Sequence, residues 1–321
     1  MSSASRSATG GLVAAAALGV GAVAWGALVE RNSFTVREET LPVLAPGARP
    51  LTVLHLSDLH MAPWQAAKQE WVRSLAVLEP DLIVNTGDNL GHADGIDGIE
   101  YALEPFRGVP GVFVNGSNDY FGPQAKNPFT YFSGPSSRPR RPSTLDTGRL
   151  ESFFTDLGWL DLNNTARAMT IRGSNLEFVG VNDPHLGYDR LDRIPGALDD
   201  LRENVGWRDD ASASEVVSIG VTHAPYQRVL NSLVTNGADV IFAGHTHGGQ
   251  VCVPGYGALV TNCDIPREQA SGLSLWHHAR RAAYLSVSAG LGTSIYAPVR
   301  FACKPEAVLL TLTGDDFSYS G

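Results

Sequence analysis

The stretch LTVLHLSDLH, residues 51–60, alternates between apolar strand residues and a polar exit. Leu51, Val53, Leu54 and Leu56 give it the character of a buried β-strand, and the metal-capable side chains Asp58 and His60 come where the strand runs out into a loop. A carboxylate and an imidazole two positions apart at a strand end reach one cation together. D-x-H alone is common, so its meaning depends on company. Four later stretches have the same form: LIVNTGD to Asp88, GVFVNGSND to Asn118 and Asp119, VVSIGVTH to His223, and DVIFAGHTH to His245 and His247. Each is a short β-branched or aromatic run, then small residues, then an oxygen or nitrogen ligand. Strand ends of this kind converging on one rim make a metal site.

Between these strands the periodicity changes. QAAKQEWVRSLAVLE puts Trp71, Leu75 and Leu78 on one helical face, and Pro80 stops it before the strand at 82–86. That is a β-α-β crossover. GIDGIEYALEPF (95–106), LESFFTDLGWLDL (150–162), ALDDLRENV and QRVLNSLVTNG supply further helices, the last closed by Gly237. TIRGSNLEFVGVND (170–183) reads as a hairpin, and AAYLSVSAGLG and EAVLLTLTG as strands completing a second sheet. No glycine-rich dinucleotide fingerprint follows the first strand, and no G-x-S-x-G elbow occurs. Two sheets with helices outside describe an α/β fold, a four-layer α-β-β-α sandwich.

The chain of 321 residues, 43% apolar and 18% charged, is long enough for one catalytic domain with an appendage. A formal charge of −9 excludes general binding to duplex nucleic acid, which needs a basic face against the phosphates. Cys252, Cys263 and Cys303 have no C-x-x-C spacing and read as buried or half-buried thiols, with one disulfide left open. Oligomeric state is not legible.

Residues 11–29, GLVAAAALGVGAVAWGALV, are uncharged, and as a helix they span roughly 28 Å, close to a bilayer's hydrocarbon thickness. Arg6 precedes them and Glu30–Arg31 follow. The expected organisation is a short cytoplasmic N-terminus (1–10), a transmembrane anchor (11–29), a tether with an edge strand (30–49), the catalytic domain (50–313) and a tail (314–321). A single-pass cell-membrane protein with its domain on the outer face follows from that order. A cleaved signal or a buried Ala/Gly helix are the alternatives for 11–29. The Pro/Ser/Arg-rich insertion 123–149 carries Arg138, Arg140 and Arg141, a solvated basic loop or a flap for an anionic substrate or headgroups.

The ordered set of D-x-H at 58–60, G-D at 87–88, G-S-N-D at 116–119, His223 and G-H-T-H at 244–247 resembles the calcineurin-like metallophosphoesterase superfamily. GHTHGGQ at 244–250 looks like its membrane-anchored bacterial branch. The resemblance covers about residues 50–313 and implies two divalent metal ions: Asp58, His60, Asp88 and His247 around one, with Asp88 bridging to a second held by Asn118, His223 and His245. Oxygen and nitrogen ligands without thiolates suit Mn, Fe or Zn. A carboxylate, with two oxygens, is the natural bridge. The implied activity is hydrolysis of a small or lipid-linked phosphoester, mono- or diester, by a metal-activated hydroxide. A pyrophosphatase acting on a nucleotide-sugar or lipid-linked diphosphate, and a catalytically inactive metal-binding membrane scaffold, are the alternatives.

The departure from the family is at G-S-N-D, where the family reads G-N-H-[DE]. Aligned without a gap, Ser117 replaces the ligand Asn and Asn118 the catalytic His; a one-residue shift makes Asn118 the ligand. Either way the usual acid is missing, and Asp119 is left to orient the loop or a ligand. A replacement donor from the rim is His185, sharing a loop with Asp183, or His92, close after the G-D loop. Trp64, Tyr120 and Phe121 are candidates to line the mouth, and Gly248 and Gly249 to leave it open.

Overall fold

The computed structural model describes residues 17, 19–123, 143–207 and 215–314. Two six-stranded sheets face each other. The first has the order β1 (Thr35–Pro42), β14 (Glu306–Thr313), β2 (Leu51–Leu56), β3 (Leu82–Asn85), β4 (Gly111–Phe113), β5 (Trp159–Asp161). The second has the order β12 (Gly272–His278), β13 (Arg281–Val287), β9 (Val240–Ala243), β8 (Val216–Val221), β7 (Ser174–Gly180), β6 (Thr165–Ile171). β10 (Cys252–Val253) and β11 (Gly257–Ala258) pair apart from both. In the first sheet, β2, β3, β4 and β5 run parallel. In the second, β7, β8, β9 and β13 do so, while β6 and β12 pair antiparallel at the two edges.

The period-2 pattern decides which side chains go where. Leu51 and Val53 of β2, Leu82 and Val84 of β3 and Val112 of β4 point between the sheets, where they meet Phe178, Ile219 and Phe242. Leu54, Leu56, Ile83 and Phe113 point the other way, into helices α2 (Ala66–Ser74), α3 (Ile96–Leu103) and α5 (Thr147–Leu157). On the second sheet Val179, Ile241 and Leu285 face α6 (Ile194–Val205) and α7 (Gln227–Thr235). These are the expected four layers. The α2 region ends at Glu79, whose left-handed φ of 46° turns the chain into Pro80. The 170–183 hairpin turns at Arg172 and Gly173, both at positive φ, as a tight two-residue turn requires.

One expectation about the sheets changes. The last strand, β14 (Glu306–Thr313), enters the first sheet between β1 (Thr35–Pro42) and β2 rather than completing the second. Its Ala307 faces the outer helices, and Val308, Leu310 and Leu312 face the inter-sheet core, which only a strand covered on both sides provides. The tether contributes β1 as an edge strand, with Arg37, Glu38 and Glu39 in the blunting charged pattern of an edge.

The membrane anchor is overturned. Among the described residues no helix is long and apolar enough to cross a membrane. Residue 17 and residues 19–28 are helical (α1), and 1–16 and 18 lie outside the described residues. The end of α1 is seated on the domain itself: Arg300 N–H donates to Gly26 O at 3.2 Å, and buried Glu30 accepts Cys303 N–H at 2.7 Å and Trp25 Nε1 at 3.1 Å. Hydropathy counts apolar residues and not the length of helix they form, so this uncharged run resembled a span. The membrane partner, the outer-face localisation and the anchored-branch assignment fall with it. Arg138, Arg140 and Arg141, and most of the turn at 209–215, lie outside the described residues. All three cysteines are free thiols, Cys263 buried and the other two half-buried.

Candidate metal centre

The parallel strands end at one rim, and the ligand-bearing residues sit in the turns just beyond them. Asp58 and His60 follow β2, Asp88 follows β3, Asn118 follows β4, His223 follows β8, and His245 and His247 follow β9. The turns are braced across strands: Asp58 N–H donates to Gly87 O at 2.9 Å, His60 N–H to Asp88 O at 3.0 Å, and Gly244 N–H to His223 O at 2.9 Å. Asp58, His60, Asp88, His245 and His247 all have left-handed backbone, with φ of 50°, 41°, 56°, 68° and 51°. Such conformations cost about 1–3 kcal/mol each for non-glycine residues and persist where the surroundings over-determine them. Composition gives no hint of this.

Glycine is required where the loops touch. A Cβ on Gly116 would collide with Asp88 Oδ1, and one on Gly244 with Ser57 Oγ. Gly248 and Gly249 are both buried, and a Cβ on Gly248 would lie 2.7 Å from Cys303 Sγ.

Two groups of ligand atoms converge. Asp58, His60 and His247 form one and Asp58, Asp88 and His223 the other, each within 4.8 Å. Asp88 faces both: Oδ2 lies 3.5 Å from His60 Nε2 and Oδ1 3.5 Å from His223 Nε2. The tautomers are set from behind. His223 Nδ1 donates to Thr86 O at 2.7 Å, leaving Nε2 to face Asp88. His245 Nε2 lies 3.1 Å from Asn262 O, so its Nδ1 turns to His223 at 3.2 Å.

These atoms fit cations better than they fit each other. His60 Nε2 and His247 Nε2 meet nose to nose at 3.3 Å, and Asp58 Oδ1, buried and without a hydrogen-bond donor, points at His247 Nε2 from 3.5 Å. Lone pairs gathered around a common centre are what a metal ion satisfies. Burial keeps three of the imidazoles neutral, the ligating form: His60 falls to about 4, His247 to about 3, and His245 well below the ordinary value, helped by the neighbouring His185. His223 goes the other way: burial opposes its charged form, but the Asp88 carboxylate beside it outweighs that and raises it well above the ordinary value. Burial opposes charge on Asp88, but His223 and His60 outweigh it and hold the carboxyl well below its usual range. Cys252, Cys263 and Cys303 contribute to neither group.

Asn118 lies beside Asp88. Its side-chain amide lies 2.7 Å from Asp88 Oδ2, on the His60 side, and only its main-chain N–H reaches Oδ1 at 2.7 Å, on the His223 side. It leans on the Asp88 carboxylate, while Ser117 opens the short helix α4 (Ser117–Tyr120). Asp119 fastens both loops, accepting N–H groups from Asp88 and Gly116 at 2.9 Å and from Asn89 at 2.7 Å. Burial, and then the charge of Asp88, raise its carboxyl to about 7.

His185 packs on the second cluster, with its ring centroid 4.8 Å from that of His245. Tyr226 OH holds its Nδ1 at 3.0 Å, a partner absent from the sequence reading. Asp183 grips the main chain instead, accepting His185 N–H at 2.8 Å. His92 is tied elsewhere: its Nδ1 accepts Asp94 N–H at 3.1 Å, and its ring packs edge-on against exposed Trp64. Tyr120 OH bonds Asn115 and Asn182, and Phe121 bridges to Thr144. Thr86, Asn262, Tyr226 and Arg300 were not legible, because hydroxyls, amides and a lone arginine bear no spacing signal.

The calcineurin-like phosphoesterase family model matches residues 51–249, from β2 through the last histidine loop. The chain belongs to that family. This calcineurin-like phosphoesterase is 29% identical over 273 residues to the Bacillus subtilis (strain 168) uncharacterized protein YpbG, covering 84% of each chain. It is 22% identical over 292 residues to the same organism's uncharacterized metallophosphoesterase YkuE, covering 89% of this chain and 86% of that one. Among solved structures, TT1561 of Thermus thermophilus is similar with a TM-score of 0.40 and 13% identity, over 76% of this chain and 91% of that one.

Proposed function

We propose that this calcineurin-like phosphoesterase hydrolyses a phosphoester, mono- or diester, at a centre for two divalent cations. The observation that supports this most is the placement of Asp88, one oxygen toward each nitrogen cluster. Asp58, His60, Asp88 and His247 would hold one ion, and Asp88, His223 and His245 the other. When bound, such a pair acidifies water and neutralises charge developing on phosphoryl oxygens.

The chain's own residues supply the rest. Asp88 keeps its charge in a buried site, because His223 and His60 stand beside it. Asp119 and the Gly116 turn fix where it points. Asn118, half-buried against Asp88, presents an amide where the family has histidine; it can orient a phosphoryl oxygen but not deliver a proton. The proton for a poor leaving group then comes from His185, held beside His245 by Tyr226.

The purified chain, assayed with bis-p-nitrophenyl phosphate and p-nitrophenyl phosphate under added Mn²⁺, is expected to turn over and to stop on chelation. No turnover with Mn²⁺, Fe²⁺ or Zn²⁺ on several esters would overturn the hydrolase and leave an inactive metal-binding scaffold, the reading that Asn118 in place of histidine favours.

A further inference from the structure

Arg300 is wholly buried; its Nη1 and Nη2 reach main-chain carbonyls, while Nε has no partner. Nη2 donates to Ala289 O at 2.7 Å, Gly290 O at 3.0 Å and Gly292 O at 2.7 Å. Nη1 approaches His247 O and Lys304 O at 3.5 Å and Cys303 O at 3.4 Å. Burying a guanidinium costs several kcal/mol unless its donors are used. The carbonyls it gathers belong to the segment that clasps the first ligand turn. Leu291 N–H donates to Ser57 O at 3.1 Å and Gly292 N–H to Asp58 O at 2.6 Å. A Cβ on Gly290 would lie 2.6 Å from Asp58 Cβ, and one on Gly292 2.7 Å from His60 Cβ, so the segment is in close contact with both ligands. Asp58 and His60 are held left-handed inside that clasp.

We propose that Arg300 is a positioning residue for the ion on the Asp58 side. It draws three carbonyls together behind the turn that aims Asp58 and His60, and it touches the main chain of His247, the third ligand of that group. The end of α1 braces Arg300 from outside, through Gly26 O on its main-chain N–H. A Cβ on Gly26 would collide with Arg300 O, so the helix end is fitted to this site. The proposal rests on the dinuclear reading above and assigns it a residue outside the ligand set.

The test is calorimetric titration of the metal-free full-length chain with Mn²⁺, with His247→Ala identifying the step that belongs to the Asp58-side ion. Arg300→Met is expected to weaken that step about 10–100-fold, the usual effect of losing an outer partner, and to shift the other by less than about threefold. Arg300→Lys, which restores three donors on one nitrogen, is expected to recover part of the loss. A titration like wild type, or equal weakening of both steps, would overturn the proposal. If Arg300→Met does not fold, Gly26→Ala, which displaces Arg300 from outside, is expected to weaken the same step, and an unchanged step would overturn the proposal. Wild type binding no Mn²⁺ would instead remove the dinuclear reading and this proposal with it.

Discussion

Asp88 Oδ1 lies 3.5 Å from His223 Nε2 while its other oxygen faces the opposite cluster. Asp88 thus faces both nitrogen clusters, whereas His247 lies in one ligand group; Asp58 is the residue common to the two groups, and the proposed centre takes Asp88 as the bridge. Asp88→Asn is expected to weaken both steps of a Mn²⁺ titration and to reduce turnover more than the about 10–100-fold typical of an outer partner. His247→Ala should mainly empty one position and keep turnover at or above that of Asp88→Asn. Retention of two bound ions and near-full rate in Asp88→Asn would exclude the bridge.

Removing the metal tests the strain in the site. Asp58, His60, Asp88, His245 and His247 all hold left-handed backbone, and Asp58 Oδ1 is buried without a donor. Cations that bind only the folded state add about 2.7 kcal/mol at 100-fold excess over the dissociation constant. At about 2–4 °C per kcal/mol for a chain of this class, chelation should lower the melting temperature by about 5–10 °C. A melting curve indifferent to chelator and to added Mn²⁺ would show that the ligand turns are held equally well without ions.

The residues that converge on the candidate centre were legible in the sequence and their support was not, for a physical reason. Asp58, Asp88, His223, His245 and His247 each follow an apolar strand run, and period-2 burial makes such strands visible. What aims these side chains is long-range: Thr86 O on His223, Asn262 O on His245, and the Arg300 carbonyl cluster behind Asp58. Carbonyl acceptors exist at every residue, so only the fold selects among them. The four layers followed from alternating helix and strand periods, but β14 was misplaced because an apolar run does not name its sheet. Residues 11–29 were misread since hydropathy counts apolar residues and not the length of helix they form; among the described residues the helix is too short to cross a membrane, with Val20, Val23, Trp25 and Leu28 exposed. Gly26 packs on protein, and buried Glu30, the residue just beyond the segment, is bonded to the Cys303 main chain.

His55 makes a pH prediction apart from the ligands. It is fully buried in β2, with Nε2 2.9 Å from Thr86 Oγ1, Nδ1 unpartnered and its ring edge-on to Phe242. Burial, and then the charge of Arg37, lower it to about 3 in the fold, from an unfolded value near 6.5. Between those values the unfolded chain binds one more proton, so stability falls as pH drops through that window. The slope is about 1.4 kcal/mol per pH unit where the difference is a whole proton. In urea unfolding of the metal-free chain, His55→Leu should show a shallower acid-side decline than wild type, by up to that slope. Parallel declines would mean that His55 does not differ in protonation between the two states.

The proton donor is the last element to settle, since Asn118 cannot titrate in the useful range. A leaving group of high pKa needs a proton as its bond breaks, and a positioned histidine contributes about 10²–10⁴-fold. His185 is beside the second cluster, 4.8 Å ring to ring from His245, and Tyr226 OH fixes its orientation through Nδ1 at 3.0 Å. His92 accepts Asp94 N–H, and its ring meets exposed Trp64 edge-on. Wild type, His185→Ala, His92→Ala and Tyr226→Phe should therefore be compared on an alkyl ester and a nitrophenyl ester under saturating Mn²⁺. His185→Ala should lose rate mainly on the alkyl ester, within that range, because nitrophenolate leaves unaided. Tyr226→Phe should lose less, since the ring stays and only its tether goes, and His92→Ala should match wild type on both. Equal rates for wild type and His185→Ala on the alkyl ester would remove His185 from the reaction, and a selective loss in His92→Ala would move the donor to the rim.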